Sequence, residues 1–173
     1  MIDAPDRPSP RFPEAAVARA IDEMRQIIAK LQANQDDLCL TQGACGADLL
    51  FSECCLDAQV PVQWLQPFVE PEFIQRSVAV GGDQWQARYE QVRSRLDRPI
   101  RAMPTELGPQ SGDPFELCNQ WLVGSARAYG EQPLHMVCLW DGKPGSPGGT
   151  GHLLSLVTDP RVPRWRVDTR QLI

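Results

Sequence analysis

The sequence predicts an α/β protein built as a three-layer Rossmann-like fold around a mainly parallel sheet. Short apolar runs of strand length alternate with longer amphipathic stretches of helical spacing along most of the chain. Two of these runs lead directly into glycine-rich turns, as strands do where they connect to helices. Residues 37–67 have the pattern of a βαβ unit, whose right-handed crossover implies parallel strands.

The elements of the first half of the chain follow from apolar spacing and from turn residues. Pro13 suits the first position of a helix, and the apolar residues after it recur at steps of three and four. Gly81 and Gly82 divide the amphipathic stretch that follows the second strand. The predicted elements are helix 13–33, strand 38–41, helix 49–59, strand 60–67, and one short and one longer helix within 70–98.

The second half continues the alternation of strands and helices. Asp113 suits the N-cap of a helix that Gly130 ends. The run Leu134–Trp140 has the continuous apolar character of a buried strand. The predicted elements are a weak strand 99–104, helix 114–128, strand 134–140, a short helix 152–157 and a final strand 165–169.

Length and composition limit the class of protein. The 173 residues suit a single domain, 1–173, with one hydrophobic core, and no apolar run approaches the ~20 residues of a membrane-spanning helix. The amino terminus has neither the basic start nor the apolar stretch of a secretory signal, so we expect a cytoplasmic protein with reduced cysteines. The net charge of -5 argues against a nucleic-acid partner, because phosphate contacts need a basic face.

Two glycine-rich loops are the candidate ligand site, because open parallel sheets bind ligands beyond the carboxyl ends of their strands. We call residues 42–48 loop 1 and residues 141–152 loop 2. Glycine lets backbone amides approach an anion closely, and a helix start favours phosphate. The alternative is that the glycines only turn the chain. The candidate ligand-binding residues are Gly43, Cys45, Gly46 and Asp48 in loop 1, Glu116 and Asn119 between the loops, and Asp141, Gly145, Pro147, Gly148, Gly149, Thr150, Gly151 and His152 in loop 2.

The polar candidates each have a structural alternative. Asp48 lies in a first helical turn, where it either caps the helix or contacts a ligand hydroxyl. Glu116 and Asn119 are three positions apart and either share a face toward a base or ribose, or cap the helix and face water. His152, when protonated, can donate to phosphate, or it is a half-buried residue at a helix start.

Further residues have a structural role as the first expectation. Arg7 and Arg11 either reach an anion or are solvated in a proline-rich segment. Trp64, Trp121 and Trp140 are expected in the core, with base stacking as the alternative. The six cysteines contain no CxxC pair, so we expect small buried hydrophobic side chains and neither a metal nor a cofactor.

Two segments carry a family resemblance. TQGACGADLLFSECC (41–55) resembles the strand, glycine turn and helix of the DprA/Smf proteins, and DGKPGSPGGTGHLLS (141–155) resembles the phosphate loop of the Lonely Guy enzymes. Both families belong to the SLOG superfamily, and the combination is most similar to a bacterial, nucleotide-sensor-like branch of it. The resemblance implies a nucleotide-derived ligand, a role in bacterial signalling or defence, and a fused or neighbouring effector or repeat domain as partner.

The departures from the Lonely Guy motif bear on catalysis. Ser155 stands where the enzymes have a catalytic glutamate, and serine cannot supply the charge that assists cleavage of an N-glycosidic bond. The resemblance therefore implies binding or sensing more than catalysis. The motif glycines and proline match at Pro147, Gly148, Gly149 and Gly151, Thr150 fills the variable place, and His152 replaces a threonine.

Two other functions remain as alternatives. The first is a nucleotide or nucleoside N-glycosidase of Lonely Guy type, with Asp48, Glu53 or Glu116 replacing the absent glutamate. The second is a DprA-like binder of single-stranded DNA, against which the net charge argues.

The resemblance also implies that a first, central strand is missing. Relatives open with an apolar strand, whereas this sequence begins in what resembles the loop after it. We therefore expect a longer natural protein or a rearranged sheet, and oligomerisation of this chain.

Overall fold

Short parallel strands form two separate ladders in the residues that the computed structural model describes, which are 1–3, 8–107, 112–129 and 133–173. The strands are Cys39–Thr41 (β1), Val62–Gln66 (β2), Arg101–Ala102 (β3), Met136–Leu139 (β4) and Arg164–Val167 (β5). The first ladder has the order β1-β2-β3, with Cys39 opposite Val62 and Leu65 opposite Arg101. The second pairs β4 with β5. All five residues of β2 are buried, as expected for the middle strand of a parallel sheet.

Helices connect the strands in the predicted order. Asp113 caps the fifth helix by accepting hydrogen bonds from the backbone amides of Phe115 and Glu116. Gln32 ends the first helix in a left-handed conformation. The predicted stop at Gly130 lies outside the described residues. The helices are Val17–Leu31 (α1), Ala47–Asp57 (α2), Glu70–Ser77 (α3), Asp83–Arg95 (α4), Pro114–Ala128 (α5) and Thr150–Leu156 (α6).

The chain is thus α/β with parallel strands, as predicted, but the strands of the described residues form two separate ladders and not one sheet, and β3 is shorter than predicted. The sequence predicts a strand over 99–104, and only two residues of it pair. Pro99 and Pro104 flank the pair, and proline has no amide hydrogen to donate to a ladder.

A single apolar core joins the two ladders. Helix α2 packs against both α1 and α4, while α5 contacts α6, β1 and β2. The rings of Trp64 and Tyr89 lie 4.9 Å apart at the centre of this core. Leu139 of β4 and Val167 of β5 belong to the same buried cluster. The ladders are therefore held together by side-chain packing, with no hydrogen-bonded strand pairing between them in the described residues.

Two predicted core tryptophans lie at the rim of the core instead. Trp64 is fully buried, but Trp121 and Trp140 are half-buried. The guanidinium carbon of Arg101 lies 5.5 Å from the centre of the Trp121 ring, and that of Arg166 lies 5.2 Å from the centre of the Trp140 ring. Each ring thus makes a cation–π contact with an arginine at the edge of the core.

The cysteines are free and buried, as expected. Burial raises the pKa of Cys54 to about 11 and that of Cys118 to about 12, so both are neutral thiols at physiological pH. Within the described part of the chain there is no cluster of His, Cys, Asp and Glu suited to a metal ion. None of the described helices has the length and apolar character needed to cross a membrane.

Replacing Gly43 by alanine should destabilise the protein, because a Cβ there would lie 2.7 Å from the Trp64 ring and the backbone φ is +85°. We expect a loss of about 1–3 kcal/mol in the free energy of unfolding, measured by urea denaturation. Gly124→Ala is the matched control, because Gly124 lies within α5 and its Cβ would meet nothing within 4 Å. That variant should gain about 0.4–1 kcal/mol. Equal stability of the two variants would contradict this account of loop 1.

Candidate functional site

The side chain of Asn119 joins loop 1 to loop 2. Asn119 lies on α5 and is 2% exposed. Its Oδ1 accepts a hydrogen bond from Nε2 of Gln42 at 2.9 Å, and its Nδ2 donates to the carbonyl oxygen of Gly148 at 2.6 Å. The same Nδ2 lies 3.2 Å from Nδ1 of His152. One buried amide therefore links the start of loop 1, directly after β1, to the end of loop 2, directly before and within α6.

Loop 1 is largely closed by its own hydrogen bonds. Oδ2 of Asp48 accepts from the amide of Ala44 at 3.3 Å, and the amide of Cys45 donates to the carbonyl oxygen of Ser77 at 2.8 Å. Gly43, Cys45 and Gly46 are all buried. Asp48 therefore closes the loop, Gly43 and Gly46 let the chain turn with positive φ, and the side chain of Cys45 packs in the core.

The amino-terminal residues cover part of loop 1. The amide of Ile2 donates to the carbonyl oxygen of Cys45 at 3.1 Å. A Cβ on Gly46 would lie 2.7 Å from the backbone nitrogen of Ile2. Glycine at position 46 is therefore required by this close approach as well as by its φ of +108°.

Loop 2 is open to solvent over its first half. Residues 142–147 are exposed, a stretch that includes the candidates Gly145 and Pro147. At Gly148 the loop turns with a φ of +73° and packs so closely on Phe115 of α5 that any Cβ would collide with that side chain. Gly149 donates its amide to the carbonyl oxygen of Ser146 at 3.0 Å and begins α6.

The remaining candidates at this junction are half-buried: Glu116, Thr150, Gly151 and His152. Glu116 has no hydrogen bond or ion pair through its carboxylate in the described residues, although its amide is capped by Asp113. Asn119, predicted to share a face with Glu116, uses its amide within the protein. Of the predicted pair, only Glu116 has a side chain that is not already engaged.

Asp141 is held by an arginine from the other end of the chain. It follows β4, is 5% exposed, and accepts from Nε of Arg11 at 2.7 Å and from Nη2 at 2.9 Å. The amide of Lys143 donates to the same carboxylate at 3.0 Å. These donors, Arg11 first, lower the pKa of Asp141 to about 2. The other predicted arginine, Arg7, lies outside the described residues.

Two glutamines at the site were missed from the sequence. Gln42 follows β1, and Gln66, which is completely buried, ends β2. Nε2 of Gln66 donates to the carbonyl oxygen of Gln42 at 3.3 Å and to the hydroxyl of Tyr89 at 3.1 Å. A polar residue at the carboxyl end of each of two adjacent predicted strands was the signal available for finding them.

Comparison with protein-family models, with curated proteins and with solved structures finds no significant match to this chain. The geometry of the two loops therefore carries the functional argument.

Stability should depend on the ionisation of Asp141 at acid pH. Its pKa is lowered from 3.8 to about 2 in the folded protein, so the carboxylate stabilises the fold above its ordinary pKa. This contribution is lost as the pH falls from 3.8 through about 2. The difference in unfolding free energy between wild type and Asp141→Asn should shrink over this interval in urea titrations. Asp22→Asn, at an exposed position of α1, is the control. A difference that stays constant with pH would contradict the assignment.

Proposed function

We propose that the chain binds a nucleotide-derived ligand in the crevice between loop 1 and loop 2. The observation that carries the proposal is the pair of hydrogen bonds through Asn119, which links Gln42, directly after β1, to Gly148 near the end of loop 2. Ligands of open parallel sheets bind in a crevice of this kind, outside the carboxyl ends of the strands.

The two loops would contribute different things to a ligand. Loop 2 is exposed over 142–147, so its glycine-bearing backbone would be open to the ligand. Loop 1 is buried and would serve as the floor of the crevice. The half-buried side chains of Glu116 and His152 are the polar groups placed to contact a base or ribose.

The SLOG-like class and the three-layer Rossmann-like arrangement belong to the same proposal. They are supported by the parallel pairing of the strands in both ladders. They are also supported by the packing of the helices in two groups, because α5 packs on α6 whereas α2 packs on α1 and α4. Under this proposal the domain senses its ligand in bacterial signalling or defence and passes its state to a neighbouring domain or copy.

Binding is favoured over catalysis by what surrounds the possible catalytic carboxylates. Glu53 forms an ion pair with Arg88 at 2.6 Å, and Asp48 accepts from the amide of Ala44. Ser155 is exposed, and its hydroxyl donates to the carbonyl oxygen of His152 at 2.7 Å. An N-glycosidase would therefore depend on Glu116 alone.

Thermal unfolding with a panel of mono-, di- and cyclic nucleotides and ADP-ribose tests the proposal. A ligand at a hundredfold its dissociation constant should stabilise the fold by ~2.7 kcal/mol. The same samples should release no free base, as measured by chromatography. No stabilisation by any member of the panel would contradict the proposal, and release of base that Glu116→Gln abolishes would favour the N-glycosidase.

His152→Ala should weaken binding of the nucleotide found in this way by about tenfold, because His152 lies where the two loops meet. Ser155→Ala is the matched control, since Ser155 lies on the same helix but is exposed. It should leave the affinity unchanged in isothermal titration calorimetry. Equal losses in the two variants would mean that the ligand does not bind at the junction.

A further inference from the structure

Positive charge is in slight excess beside loop 2, although the chain as a whole has a net charge of -5. Four cations and two carboxylates lie at the carboxyl ends of β4 and β5, and a third carboxylate, that of Asp3, accepts a hydrogen bond from the amide of Arg11. We call this group the basic cluster: Arg11, Lys143, Arg166 and Arg170, with Asp141 and Asp168.

Short contacts hold the basic cluster together. Asp168 pairs with both Arg166 and Arg170. Nε of Arg166 also donates to the carbonyl oxygen of Trp140 at 3.3 Å, which places this arginine directly beside loop 2. On the other side, Nη2 of Arg11 donates to the carbonyl oxygen of Lys143 at 3.4 Å. Arg166 and Arg11 therefore both contact the backbone at the start of loop 2.

A cleft of about 520 Å³ lies between the amino-terminal segment, here residues 8–12, and loop 2. Its lining residues are Pro8, Ser9, Arg11, Lys143 and Pro144. The cleft is open to solvent, because four of these five residues are exposed and Arg11 is half-buried. Both charged residues of the lining are cations, so the cleft suits an anion.

The two cations differ in how they are held. Asp141 engages Nε and Nη2 of Arg11, which fixes the guanidinium and leaves its Nη1 hydrogens for another acceptor. The ammonium of Lys143 forms no ion pair within the described residues. A fixed guanidinium beside a free ammonium is a suitable arrangement for the oxygens of a phosphate group.

We propose that this cleft binds the phosphate end of a small nucleotide-derived ligand, with Arg11 and Lys143 contacting the phosphate and Asp141 positioning Arg11. The inference rests on the proposed function. It extends that function by naming the residues that contact the anionic end of the ligand.

The two lysines of the chain, Lys30 and Lys143, allow a direct test. Reductive methylation with ¹³C-formaldehyde labels both and preserves their charge. Titration with pyrophosphate should shift the Lys143 resonance along a saturable curve and leave that of Lys30, near the end of α1, in place. Equal, unsaturable shifts of both resonances would show general ionic effects and overturn the assignment.

Variants separate the cleft from the rest of the site. Lys143→Gln should weaken pyrophosphate binding by about tenfold, and Lys30→Gln should not change it. Arg11→Gln is made in the Asp141→Asn background, so that no buried carboxylate is left unpaired. The double variant should bind pyrophosphate about tenfold more weakly than Asp141→Asn alone. Unchanged affinity in both tests would overturn the proposal.

The same variants distinguish this proposal from the proposed function. If Lys143→Gln leaves the affinity for a nucleotide unchanged, the phosphate cleft is overturned and the proposed site between the two loops is not affected. Saturable pyrophosphate binding at Lys143 with no nucleotide bound would support the cleft and contradict the proposed function. Tighter binding of a single-stranded oligonucleotide than of any nucleotide would overturn the assignment to a small molecule.

Discussion

The arrangement of the site depends on the buried amide of Asn119. The two ladders share no strand pairing in the described residues, so packing alone would leave the ends of β1 and β4 free to shift relative to one another. Asn119 accepts from Gln42 and donates to Gly148, and a buried polar group left without such partners costs ~1–3 kcal/mol. This cost favours the one arrangement in which loop 1 and loop 2 are adjacent.

Hydrogen bonds from the amino-terminal residues form a second connection between loop 1 and loop 2. Ile2 is bonded to Cys45 of loop 1, and Arg11 is bonded to Asp141 at the start of loop 2. Between these points Asp3 accepts from the amides of both Arg11 and Phe12, which holds the two ends of the segment together. The two loops are thus tied to α5 through Asn119 and to the amino-terminal residues through Ile2 and Arg11.

Local pattern predicted the elements and the two loops, because periodicity and turn residues act over a few positions of sequence. Strand β4, helix α5 with its Asp113 cap, and both glycine turns were found in this way. The interactions that join the loops were not found. Arg11 and Asp141 are 130 positions apart, and no local pattern relates them. Similarly, the half-buried rings of Trp121 and Trp140 contact arginines of other strands, and no local pattern in the sequence relates these residues.

The central claim is that loop 1 and loop 2 form one binding site. The most direct measurement is a titration of ¹⁵N-labelled protein with a stabilising nucleotide, followed by two-dimensional amide NMR. The account predicts that amides of Gly43–Gly46 and of Gly148–Gly151 shift together and saturate at the same ligand concentration. Shifts confined to one loop, or two loops that saturate at different concentrations, would contradict it.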